Sequence, residues 1–150
     1  RDLTVEENID FFADIYQVEP HLKEGKKEDL LEFAKLTEFK QRRVKDLSGG
    51  MRQKLGLACT LIHEPEILFL DEPTTGVDPV SRREFWRMLY HLPMEVTIVL
   101  STPYMDEAER CTKIGLLYKG ELMICDTPDR VKETFKVSRL EDAFVALINK

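Results

Sequence analysis

Two short stretches of the chain carry residue types that can handle a phosphorylated ligand. The first is Ser48-Gly49-Gly50, which runs directly into a helical pattern. Two glycines let backbone approach a ligand closely, and the serine adds a hydroxyl. The N-terminus of the helix offers unpaired N–H groups with a partial positive charge, so the combination favours an anion. An ordinary serine N-cap with a flexible entry has the same spelling. The second stretch is Asp71-Glu72, at the end of the nearly all-apolar run Glu66-Ile67-Leu68-Phe69-Leu70. If that run is a strand, both carboxylates sit at its C-terminal end, where ligands gather in open α/β sheets. An aspartate there can hold Mg²⁺ through water, and a glutamate beside it can polarise an attacking water. The bland alternative is that Asp71 caps the turn into Pro73.

The elements that must position these groups follow from periodicity and punctuation. Thr4 and Glu7 spell a T-x-x-E capping box, and Val5, Ile9, Phe12 and Tyr16 recur at helical spacing, which predicts an amphipathic helix over 5–17. Pro20 separates it from a second helix over 26–37, with Leu30, Phe33, Ala34 and Thr37 on one side. A third helix follows the glycines, with Met51, Leu55, Ala58 and Ile62 in its buried stripe and Pro65 beyond its end. The run ending in Asp71 reads as a strand buried on both faces, as in parallel sheets.

Asp78 caps and Pro79 opens a helix that reaches about Leu92, carrying Phe85, Met88 and Leu89 inward. A second buried strand is expected over 96–100, a short helix over 105–111, and a hairpin over 114–124 turning near Lys119-Gly120. Thr127-Pro128 opens a further helix, and Leu140, Phe144, Leu147 and Ile148 share one face of the last. Helices first, then strands alternating with helices, predict a helical subdomain over 1–62 joined to an open α/β sheet over 63–150.

Composition narrows the function classes. With 150 residues, 43% hydrophobic and 33% charged, the chain can bury a real core. Its longest apolar stretches fall far short of the roughly 18 residues of a membrane-spanning helix. The balance of 22 basic against 28 acidic residues, net −6, argues against a dedicated nucleic-acid binder, and the basic run 40–45 reads as a solvated face. Cys59, Cys111 and Cys125 show no C-x-x-C spacing, so reduced cytosolic thiols are expected. His21, His63 and His91 lie far apart and form no metal-binding pair. Asp106, Glu107 and Glu109 read as an acidic helix start, and Phe85 and Trp86 as packing residues. The opening Arg1-Asp2-Leu3-Thr4 has neither an initiator Met nor a signal-peptide core, so the chain is expected to be cut from a longer one.

Taken together, the motifs resemble a known family. Leu47-Ser48-Gly49-Gly50-Met51-Arg52-Gln53, then Ile67-Leu68-Phe69-Leu70-Asp71-Glu72-Pro73-Thr74-Thr75-Gly76, then Val77-Asp78-Pro79, are similar in order and spacing to the signature motif, Walker B strand and D-loop of ATP-binding cassette (ABC) ATPases. The Leu-Thr-Val-Glu-Glu-Asn opening and the Leu-Glu-Asp-Ala-Phe-Val-Ala-Leu ending look most like the exporter branch associated with drug and lipid efflux. The resemblance implies a P-loop NTPase-like α/β fold with an open, mainly parallel sheet, present in part, and an all-helical subdomain. It implies an ATPase using ATP and Mg²⁺ and paired with a second ABC domain. A membrane-embedded transporter subunit is its other implied partner, at the cytoplasmic face of the membrane, with no nucleic acid. Within it, Asp71 takes the magnesium role through water, Glu72 activates water, and Asp78 couples two sites. Ser48, Gly49, Gly50 and Gln53 contact nucleotide held by the opposite subunit.

Two departures from the family pattern stand out. No G-x-x-x-x-G-K-[ST] loop is present: Glu121-Leu122 follow Gly120, and Pro20 stands where Gly25-Lys26 needs a glycine. The isolated chain is therefore expected neither to bind ATP tightly nor to hydrolyse it, and its sheet to have an unpaired edge or a rearranged neighbour. The second departure is Ser101-Thr102-Pro103, where the family commonly has Thr-His. Proline has no titratable ring and no N–H, so Pro103 marks a degenerate switch position. A non-transport cassette ATPase, or the inactive half of a tandem pair, are the alternatives.

Overall fold

The computed structural model describes residues 3–149. Thr4 starts helix α1, Val5–Ile15, through the capping box read from the sequence: its hydroxyl accepts the Glu7 N–H and the Glu7 carboxylate accepts its own. Helix α2, Pro20–Phe33, begins six residues before the expected Lys26. Pro20 opens that helix rather than breaking the chain, because its missing N–H is one the first turn cannot pair in any case. The helix ends before Lys35, whose φ of 55° is left-handed. Its buried face is consequently Lys27, Leu31 and Ala34, and Thr37 is exposed. The Lys27 ammonium is tied to Asp10 at 3.1 Å and to Glu24 at 2.9 Å, clasping α2 to α1. Burial works to lower its pKa, but the Glu24 and Asp10 bonds outweigh it and leave the pKa raised, so the charge stays on.

Helix α3, Gly49–Leu61, packs against α1 and α2. Val5, Ile9, Ala13, Leu55, Ala58 and Ile62 are all buried, and full burial of each large aliphatic contributes roughly 1.5–3 kcal/mol. Strand β1, Ile67–Asp71, helix α4, Pro79–Tyr90, and strand β2, Thr97–Ser101, then form one parallel crossover unit. The register pairs Ile67 with Thr97 and Asp71 with Ser101. Helix α4 buries Phe85, Trp86, Met88 and Leu89.

The two strands are not buried on both faces as their composition suggests. Leu68 is buried, but Ile67 is 52% exposed, Phe69 75% and Val99 47%. One face of the sheet packs inside the chain, and the other has no cover among the described residues.

The chain divides after Ser101 into two compact units. The second holds the short helix α5, Met105–Ala108, the antiparallel strands β3, Ile114–Tyr118, and β4, Glu121–Asp126, and helices α6, Pro128–Phe135, and α7, Leu140–Ile148. The hairpin turns at Lys119 and Gly120, both with positive φ, as type I′ geometry requires. Ile114, Leu116, Val131, Leu140, Ala143 and Leu147 form this unit's core, with Phe144 and Ile148 partly buried against it. Among the described residues no helix is long and apolar enough to cross a membrane.

Candidate functional site

Ser48 stands in extended backbone at the N-cap of α3, and its hydroxyl accepts the Met51 N–H at 3.2 Å. A helix leaves its first four N–H groups without internal partners. Ser48 takes the third of the helical residues, so the donors of Gly49 and Gly50 are the ones that the turn can offer to an anion. Ser48 is exposed, Gly49 and Gln53 are half-buried, and Gly50 is buried. The serine is thus an N-cap, and capping does not compete with ligand contact, because an exposed hydroxyl retains its donor and a second lone pair.

The acid pair is organised by the neighbouring strand. Ser101, the register partner of Asp71, donates its hydroxyl to Asp71 Oδ1 at 2.6 Å. The Glu72 N–H in turn donates to both the Ser101 hydroxyl, at 3.0 Å, and the Ser101 carbonyl, at 3.2 Å. Glu72 has φ 45°. A non-glycine residue in that region costs about 1–3 kcal/mol, which the double grip of Ser101 offsets. The Thr75 hydroxyl donates to Glu72 Oε2 at 3.1 Å, and the Thr75 N–H closes the turn on the Glu72 carbonyl. Both carboxylates are exposed.

The Asp71 donor set suits Mg²⁺. It is an exposed, acceptor-only oxygen group fixed at one corner by Ser101, and Mg²⁺ in phosphate sites takes one or two carboxylates, water and substrate oxygens rather than a protein cage. Among the described residues no cluster of three or more His, Cys, Asp or Glu side chains could hold a metal.

Asp78 caps α4: its Oδ1 accepts the Val80 and Ser81 N–H groups, each at 3.0 Å. The Ser81 hydroxyl, then the Ser81 and Val80 N–H groups, hold its pKa below the usual carboxylate value. The folded pKa lies below the unfolded one, so the cap stabilises at neutral pH and fades as pH falls through the lowered pKa. The loop from Glu72 to Asp78 passes the glycine turn, with the Gly76 carbonyl 3.9 Å from where a Gly49 Cβ would stand. Among the described residues no hydrogen bond links Ser48, Gly49 or Gly50 to Asp71 or Glu72.

Pro103 is exposed, two residues beyond β2. Beside it, Thr102 donates its hydroxyl to Glu107 Oε2 at 2.7 Å and accepts the Tyr104 N–H at 3.1 Å. Glu107 lies in the first turn of α5, as the acidic helix start predicts, and is fully buried there. The bonds made by Ser101, Thr75, Ser81 and Glu107 are not assigned by the motif reading. The available signal for Ser101 was the alignment of the two apolar runs at their C-terminal ends, which sets 71 opposite 101.

A serine-capped glycine turn opening one helix, with an acid pair at the end of a parallel strand, is the arrangement of an open α/β domain, in which ligands gather at the C-terminal ends of the strands. The chain belongs to the ABC transporter family, whose profile matches residues 1–75. It is similar to a protein of Escherichia coli (strain K12) named probable multidrug ABC transporter ATP-binding protein YbhF, with 48% identity over 134 residues that make up 89% of this chain and 23% of that protein. It is 43% identical over 129 residues to the Nod factor export ATP-binding protein I of Neorhizobium galegae, covering 85% of this chain and 37% of that one. A solved structure described as the ATP binding subunit of an ABC transporter superposes with a TM-score of 0.83 at 27% identity, over 97% of this chain and 62% of its own. The chain thus spans well under half the length of these two curated relatives.

Proposed function

We propose that these residues form part of the ATP-binding subunit of an ABC transporter, with 1–62 as its helical subdomain and 63–150 as part of its catalytic core. The subunit pairs head to tail with a second ABC domain and drives a membrane-embedded partner from the cytoplasmic face, in the direction of export. Ser48, Gly49, Gly50 and Gln53 contact the γ-phosphate of ATP carried by the opposite domain. Asp71 holds Mg²⁺ through water, and Glu72 is the general base. Asp78 links the two composite sites.

The observation that carries this reading is the Ser101-braced acid pair at the end of β1, joined by one loop to the Asp78 cap beside the glycine turn. Glu72 accepts a proton from the attacking water as its oxygen bonds to the γ-phosphorus and ADP leaves; positioning and charge stabilisation supply most of the catalysis. Bound Mg²⁺ would neutralise charge on the phosphate oxygens. With no lysine-bearing phosphate loop in residues 1–150, this stretch alone neither binds ATP tightly nor turns it over.

The test is the steady-state ATPase rate of the subunit that contains this chain, with and without Glu72→Gln. Loss of a general base lowers turnover by about 10²–10⁴-fold; an unchanged rate would refute the assignment. Exposed Pro103 supports a second reading, in which the subunit's own site is slow and its glycine turn completes a competent site on the partner domain.

A further inference from the structure

The helix that carries the glycine turn and the helix capped by Asp78 approach tightly at Gly50 and Ser81. A Cβ built on Gly50 would lie 2.4 Å from both Cβ and Oγ of Ser81. Helices α3 and α4 therefore approach here more closely than any side chain at position 50 permits. The Ser81 Cβ is fixed by its backbone and cannot swing aside. One turn further along both helices, the buried Lys54 ammonium reaches Glu84 Oε2 at 3.2 Å, so the same faces stay in register beyond the contact. Ser81 also faces Asp78. Its N–H donates to Asp78 Oδ1 at 3.0 Å, and its hydroxyl is the foremost influence holding that carboxylate's pKa down.

The residue is thus limited from two sides. A larger side chain would push the glycine turn away from α4, and one without a hydroxyl would loosen Asp78. Capping of α4 alone does not demand this residue, because Asp78 also accepts the Val80 N–H at 3.0 Å. We propose that Ser81 is a positioning residue that locks the Ser48-Gly49-Gly50 turn to Asp78 within one chain, so that the turn's grip on nucleotide and the setting of Asp78 change together. This inference rests on the ATP-binding role proposed above and adds to it the residue that joins the two motifs.

The experiment combines amide hydrogen exchange over 48–52 and 78–82 with ATP turnover of the ATP-binding subunit, for Gly50→Ala, Ser81→Gly and the double variant. Gly50→Ala is expected to speed exchange in both segments and to lower kcat by about tenfold or more, since small misplacements at reacting groups have large effects. Ser81→Gly vacates the contested space. In the double variant, exchange over 48–52 returns to near its original rate and kcat rises to that of Ser81→Gly alone, which itself lies below the unmutated value because Asp78 has lost a hydroxyl. A double variant no better than Gly50→Ala would overturn the proposal, as would a Ser81→Gly protein with full kcat. If Gly50→Ala does not fold, Ser81→Val presses on the same contact from the other side. Faster exchange over 48–52 is then expected, and unchanged exchange there would also overturn it. Glu72→Gln run in parallel separates the two claims: if it leaves turnover intact, the hydrolytic reading fails while the exchange rescue still decides the role of Ser81.

Discussion

The helical segment before Ile62 and the two-stranded sheet after it both carry large apolar side chains, yet these end differently. In the helices, the stripe of Val5, Ile9, Ala13, Leu55, Ala58 and Ile62 finds partners within the same 60 or so residues and is buried. In the sheet, Leu68 finds such a partner, while Phe69 and Val99, on the other face, stay open to solvent. Periodicity at 3.6 residues states both that a helix forms and which side it hides. An all-apolar strand states only that it would be stable between two layers. The glycine turn therefore rests on a finished scaffold, and the acid pair hangs from a strand covered on one side and braced by Ser101.

That contrast can be tested at both ends. The largest effect expected is in the chemistry: Glu72→Gln should lower the subunit's turnover by about 10²–10⁴-fold while leaving thermal unfolding nearly unchanged, because the residue is exposed. A smaller effect separates the two scaffolds. Ile62→Ala should cost about 2–5 kcal/mol by chemical denaturation, against well under 1 kcal/mol for Phe69→Ala. Equal losses would mean that the open sheet face is covered after all. Smallest is the switch position, where Pro103→His should raise turnover severalfold; no rise would show that Glu72 suffices there.

Several parts of this arrangement were legible in residue types alone. Thr4-x-x-Glu7, Asp78-Pro79 and Thr127-Pro128 each announce a helix start, and each starts one, because an oxygen acceptor precedes the proline or the acid at the required distance. Glu19-Pro20 starts one as well but lacks a capping bond, so Pro20 reads as a break. The less legible features depend on cross-strand or cross-helix pairing. Lys27 sits in a buried position because Asp10, seventeen residues earlier, meets it across two helices. Glu107 is buried on the Thr102 hydroxyl, and Ser101 reaches Asp71 only through the strand register. Gly50 reads as a ligand-binding glycine, yet in this chain it is also a packing glycine against Ser81.

The central claim is that the Ser48 turn faces nucleotide held by another domain. The chain's own thiols provide the controls. Burial pushes the Cys59 thiol up to about 12 and leaves it unreactive at neutral pH, while Cys125 is exposed and serves as an internal reference. In the full ATP-binding subunit carrying Ser48→Cys and Glu72→Gln, the rate of maleimide addition at position 48 should fall about tenfold or more when Mg-ATP is added, with the rate at Cys125 unchanged. Equal rates at position 48 with and without Mg-ATP would contradict the account.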